Sequence, residues 1–159
     1  MIEGVKIKNL KVHNDIPDAD QPGIQLGILM EILRADEAIF TKFGQSTMTI
    51  AYKGTMKGFH VHKKQDDLWF MATGKAMIVL HDIREGSPTK GETQTIFAGQ
   101  NDYKLVIIPV GVVHGYKVLS EEPVILFYHT TQPYNASDPD ERVIPLNDPA
   151  INFDWNAHG

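Results

Sequence analysis

His60, His62, Asp67 and His114 are the residues of this chain whose types and spacing best suit chemistry. His60 and His62 stand two apart in Gly58-Phe59-His60-Val61-His62, and in a strand that spacing sets both imidazoles on one face. Asp67 follows five residues after His62, and Gly74 seven after Asp67. His114 closes the run Pro109-Val110-Gly111-Val112-Val113-His114, in which Pro and Gly shape a turn that delivers it onto the next strand. Imidazoles beside a carboxylate have two uses. They exchange protons near neutral pH, or they hold a divalent transition metal such as Zn(II), Fe(II), Mn(II) or Ni(II) with positions left for substrate. A lone histidine is more often a satisfied structural residue; a set drawn from separate segments favours function.

Short strands must position these groups. Thr47 to Tyr52, Asp67 to Ala72, Ala76 to Ile83, Thr93 to Phe97, Lys104 to Ile108, His114 to Leu119 and Val124 to Thr130 are rich in β-branched and aromatic residues and end at turn signals. Thr73-Gly74 predicts a tight hairpin between the second and third of them. Arg84 to Gly91 reads as a loop, and Met30 to Ala38 alone has weak helical character. Many short strands with almost no helix predict an all-β sandwich or barrel enclosing a ligand cavity. At 159 residues the chain is one domain, 1–159. It divides into N-terminal strands and arm over 1–45, a barrel core over 46–131 and an extended tail over 132–159 that wraps the surface.

Composition removes several classes of function. A net charge of −5 with scattered basic residues argues against a nucleic-acid partner. The absence of cysteine removes disulfides, thiolate metal sites and cysteine nucleophiles, and it fits the cytoplasm. The longest apolar runs, 23–33 and 105–113, are too short to span a bilayer, so no membrane partner is expected.

From Gly54 to Leu119 the histidine motifs resemble those of the cupin superfamily, with Asp67 where a Glu usually stands. A narrower resemblance rests on Lys57-Gly58-Phe59-His60, Asp82-Ile83-Arg84 with Ser87-Pro88-Thr89, Pro109-Val110-Gly111-Val112-Val113-His114-Gly115-Tyr116, Phe127-Tyr128-His129-Thr130-Thr131 and Asn147-Asp148-Pro149. In that order, from Gln45 to Trp155, they are similar to the dTDP-4-dehydrorhamnose 3,5-epimerase family. The resemblance implies a cupin-type double-stranded jelly-roll β-barrel. It also implies a nucleotide-sugar substrate, a dTDP-4-keto-6-deoxyhexose, whose C4 carbonyl acidifies the protons on C3 and C5. By motif His60 is then the base and Tyr128 the opposing acid. Lys57 replaces a phosphate-binding Arg, keeping the charge without the bidentate fork. His114, His62, Asp67, Gln45 and Glu31 are substrate contacts. No cofactor is implied, and a homodimer is. His129, next to Tyr128 on its strand, points outward, while His13, His81 and His158 are structural or surface residues.

Two departures from the family stand out. Family members continue past the Asp154-Trp155 region into a segment whose Asp pairs with the catalytic His, and this chain stops at Gly159, which leaves His60 without that partner. Asp66-Asp67 also occupies the place of a family Lys. Either Asp67 takes over as the carboxylate paired with His60, or His60, His62, Asp67 and His114 bind a metal that stabilises the enolate, or the chain is a non-catalytic sugar-binding cupin that kept the barrel and lost the dyad.

Overall fold

Hydrophobic alternation along the chain builds two sheets whose inner faces meet in an apolar core. The computed structural model describes residues 1–16, 20, 22–24 and 26–157. One five-stranded antiparallel sheet runs, in spatial order, β1 (Lys6–Asn9), β9 (Lys104–Ile108), β6 (Asp67–Met71), β11 (Val124–Thr130) and β4 (Gln45–Ala51). The other runs β12 (Glu141–Val143), β5 (Met56–His62), β10 (Val112–Val118), β7 (Lys75–Asp82) and β8 (Thr93–Gly99). A short pair, β2 (His13–Asn14) with β3 (Ile28–Leu29), stands apart. From β4 to β12 the chain changes sheet at every connection except β7 to β8. This shuttling is the jelly-roll wiring, and it lets residues distant in sequence share one cavity.

The predicted strands all form, but one predicted pairing does not. Thr73 and Gly74 do make a turn, with Gly74 at a positive φ of 63°. β6 then pairs with β9 and β11, and β7 with β10 and β8, so the turn crosses between sheets and is not a hairpin. A side chain at Gly74 would meet the carbonyl oxygens of Glu122 and Pro123 at 2.9 Å, which keeps that corner tight. The weak helical signal over Met30 to Ala38 yields turns and irregular backbone. Its apolar side chains Met30, Ile32 and Leu33 pack on the outer face of the first sheet, against Leu68, Phe70 and Leu105. Burial there outweighs a marginal helix propensity.

Three apolar layers result. Trp69, Met71, Val106 and Leu126 of the first sheet meet Ile78, Leu80, Val112 and Val118 of the second in the central core. The N-terminal arm covers the outer face of the first sheet. The tail covers the second, where Trp155 stacks on Phe59 with ring centroids 5.0 Å apart. Because the arm and the tail cover the outer faces of the inner strands, β6 is buried at every position and β7 at every position after Lys75. No helix among the described residues is long and apolar enough to cross a membrane.

Candidate active site

A bulge in β5 decides which of its side chains reach the cavity. His60 lies opposite His114 and Lys57 opposite Tyr116, so Gly58 and Phe59 together face Gly115 alone. The extra residue shifts the in-out alternation by one step. Lys57 and His60, three apart, therefore both line the cavity with His62, while Phe59 and Val61 turn outward to the tail. Only glycines allow the backbones this close. A Cβ on Gly58 would stand 2.6 Å from Gly115 Cα, and one on Gly115 would stand 2.7 Å from the Lys57 carbonyl oxygen.

The cavity encloses about 720 Å³ between the sheets. Gln45, Thr49, Trp69 and Tyr128 line it from the first sheet, and Lys57, His60, His62, His114 and Tyr116 from the second. The tail closes the rim with Asp140 and Glu141. His60 and Tyr128 thus stand on opposing walls.

The tail also corrects the expectation that His60 has no carboxylate partner. β12 pairs antiparallel with β5, placing Glu141 opposite His62 and Val143 opposite His60. Glu141 Oε1 lies 2.7 Å from His60 Nδ1. The approach is off the axis of the ring N–H, so this is a close contact and not an aligned hydrogen bond. Asp67 does not fill this role, because it opens β6 in the opposite sheet and meets other imidazoles. Glu141 went unread in the sequence; its one signal was the short β-prone run Arg142-Val143-Ile144 directly after two acids.

Asp67 is only 3% exposed. Its Oδ1 accepts from Gln65 Nε2 at 2.9 Å and its Oδ2 from Trp69 Nε1 at 3.1 Å. Beyond these bonds, His62 Nε2 stands 3.8 Å from Oδ1 and His114 Nε2 3.7 Å from Oδ2. His114 Nδ1 is 3.0 Å from the Val112 carbonyl, which makes Nδ1 the protonated nitrogen and leaves a lone pair on Nε2. Burial lowers the His114 pKa, against the pull of Asp67, so the ring is neutral at pH 7. His62, Asp67 and His114 offer ligand atoms all within 4.8 Å of one another. Two imidazoles and a carboxylate fit a divalent transition metal. The predicted four-residue set shrinks to these three, since His60 is not in the group and lies beside Glu141.

Other predicted contacts divide. Lys57 Nζ donates to Thr49 Oγ1 at 2.7 Å inside the cavity. Gln45 lines it too, donating to Thr47 Oγ1 and accepting from the Tyr134 backbone N–H. Glu31 does not line it and forms a surface ion pair with Arg34 at 2.7 Å. Burial raises the Tyr116 pKa to about 12, with nearby Tyr128 adding to the effect. His129 lies on the other face of β11 from Tyr128, against Phe43, and burial lowers its pKa. His13 is exposed, His81 shares a 2.8 Å hydrogen bond with Thr93, and His158 lies outside the described residues.

The Asp82-Ile83-Arg84 motif stands away from the cavity and is structural. Asp82 is fully buried and accepts from Arg84 Nε and Nη2, Ser87 Oγ and Thr89 Oγ1 at 2.6–2.9 Å. Arg84 Nη2 also donates to the Glu3 carbonyl, and Thr89 Oγ1 accepts from the Glu3 N–H. The cluster therefore ties the β7–β8 loop to the N-terminus.

The chain matches the dTDP-4-dehydrorhamnose 3,5-epimerase family over residues 2–158. It belongs to that family. It is 46% identical to the spore coat polysaccharide biosynthesis protein SpsL of Bacillus subtilis (strain 168), over 99% of this chain and 98% of that protein. A dTDP sugar isomerase from Desulfovibrio desulfuricans G20 superposes with a TM-score of 0.86 at 25% identity, covering 99% and 94% of the two chains. A dTDP-6-deoxy-D-glucose-3,5-epimerase from Legionella pneumophila, in complex with dTDP-4-keto-L-rhamnose, superposes at 0.79 with 27% identity, covering 98% and 80%. Membership in the epimerase family makes this chain a carbohydrate epimerase, as the sequence motifs implied, and favours that reading over a non-catalytic sugar-binding cupin.

Proposed function

We propose that the chain epimerises a dTDP-linked 4-keto-6-deoxyhexose by exchanging a proton on a carbon next to the C4 ketone, with His60 as base and Tyr128 as acid. The observation that carries this reading is the Glu141 carboxylate 2.7 Å from His60 Nδ1. A carboxylate there favours the imidazolium that forms when Nε2 takes the substrate proton. Tyr128 on the opposite wall is set to return a proton to the other face of the carbon. Lys57, also in the cavity, is the cation for the substrate diphosphate. His62, Asp67, His114 and Gln45 frame the sugar. The Legionella relative, with dTDP-4-keto-L-rhamnose bound, supports the substrate class.

Incubation with a dTDP-4-keto-6-deoxyhexose in deuterated water tests it. Deuterium is expected at C3, C5 or both, followed by NMR, and no incorporation at either carbon overturns the reading. Proton transfer between His60 and Tyr128 needs no cofactor.

The His62–Asp67–His114 group favours a second reading. A divalent metal held there would act as a Lewis acid on a substrate oxygen. Metal analysis of protein purified without added metal decides it: a stoichiometric transition metal lost in His62→Ala sinks the metal-free reading.

Met48 and Ile50 are 52% and 43% exposed on the outer face of edge strand β4, an apolar strip suited to a second copy of the chain in a homodimer. Gel filtration at dimer mass is the expected result. The lack of cysteine and a nucleotide-sugar substrate fit work in the cytoplasm.

A further inference from the structure

Tyr116 is 2% exposed, lines the cavity and carries the sole buried hydroxyl without a hydrogen-bond partner among the described residues. It stands two residues after His114 on β10, so the two side chains share a face of that strand. Its ring meets the edge of Trp69 at 5.7 Å and 87°, in the apolar core beside Tyr128. A phenol buried without a partner costs about 1–3 kcal/mol, and phenylalanine would fill the same volume without that cost. A hydroxyl kept there is explained by a ligand that completes it.

Enolate chemistry needs such a donor, and the neighbouring donors are engaged. Trp69 Nε1 is spent on Asp67, Gln65 Nε2 is held on the same carboxylate, and Lys57 Nζ is held on Thr49 at the place set for the diphosphate. His114 presents a lone pair at Nε2, because its proton sits on Nδ1 toward Val112. We propose that the Tyr116 hydroxyl is a further catalytic residue, donating its hydrogen bond to the C4 oxygen of the substrate and holding the negative charge that gathers there. This rests on the epimerase reading. His60 takes the proton from C3 or C5, the C–H electron pair moves into the C–C bond, and the carbonyl pair moves onto O4. Tyr116 keeps its proton throughout and shares it with O4. Tyr128 then gives its proton to the opposite face of the carbanion centre, the O4 pair reforms the ketone, and the His60 proton returns to Tyr128 through solvent.

Tyr116→Phe tests this with the dTDP-4-keto-6-deoxyhexose in deuterated water. The expected outcome is kcat lower by about 10²–10³-fold with KM within about threefold. Affinity for dTDP alone and the Tm should be unchanged or slightly raised. Exchange should fall by the same factor at every carbon that the wild type exchanges, since the C3 and C5 enolates both place their charge on O4. Slowing at only one of two carbons that the wild type exchanges, or wild-type rates throughout, overturns the proposal, as does a loss of activity matched by a loss of fold. If the wild type exchanges neither proton, the epimerase reading fails and this inference with it.

Discussion

Two buried carboxylates, Asp82 and Asp67, stand in separate regions of the molecule and are treated in opposite ways. Asp82 is saturated, with two bonds from the Arg84 side chain, one from its backbone, and one each from Ser87 and Thr89. Those donors, Arg84 above all, hold its pKa well below the ordinary carboxylate range. Asp67 receives two hydrogen bonds, and two imidazole nitrogens face it at 3.7 and 3.8 Å, too far for hydrogen bonds. A buried acid whose donors are all in place ties chain segments together. One that faces imidazole nitrogens across open gaps leaves room for a substrate group or a metal. The difference separates a motif that holds the fold from residues that work in the cavity, although both stood out equally in the sequence.

The widest expected separation comes from pairing a cavity variant with a cluster variant. His60→Ala should lower kcat for deuterium exchange by roughly 10²–10⁴-fold, the usual value of a positioned base, while the Tm stays near the wild type. Its side chain is 30% exposed and supports little packing. A large fall in Tm would move His60 to the structural side of the comparison. Asp82→Asn should do the reverse. Breaking a buried pair costs about 3–5 kcal/mol, or roughly 6–20 °C in Tm at this chain length, and the remaining folded protein keeps its wild-type kcat. The pH dependence has a definite sign. A depressed folded-state pKa stabilises above the unfolded carboxylate value and is lost as pH falls toward the folded one. Wild-type stability should therefore decline below about pH 4 more steeply than that of Asp82→Asn, measured by thermal melts.

Glu141→Gln sits between these extremes. It removes the charge beside His60 and leaves the ladder between β12 and β5 in place. The expected result is a loss of about tenfold in kcat/KM, worth about 1.4 kcal/mol, with little change in Tm. An unchanged kcat/KM would mean that the carboxylate at the cavity mouth does not help His60 act as the base.

Much of the fold was legible because it depends on local pattern. Period-two alternation set His60 and His62 on one face, and glycine marked the turn at Gly74. Strand partners were not legible: the Thr73-Gly74 turn looks alike whether it joins neighbours in one sheet or crosses to the other, and non-local pairing decides which. Lys57 needed more still. It reaches the same cavity as His60 because Gly58 and Phe59 bulge against Gly115, a relation between two strands that are far apart in sequence. Glu141 was hidden because its register comes from pairing with β5, and a three-residue edge strand in a polar, proline-bearing tail gives almost no pattern of its own.

The same substitution at the other carboxylate gives the smallest expected effect and the strictest test of the contrast. Asp67→Asn keeps an oxygen to accept from Trp69 and removes the charge that two imidazoles face. The wild-type arrangement gives that charge no fully bonded cation, unlike Arg84 at Asp82. Its loss should therefore cost no more than about 1 kcal/mol of stability, a few degrees in Tm. Any rise in Tm on adding Zn(II) to the wild type should vanish in this variant, since a ligand of the group is gone. A Tm loss equal to that of Asp82→Asn would break the comparison, making Asp67 a second structural staple and leaving His60, Glu141, Tyr116 and Tyr128 as the working part of the cavity.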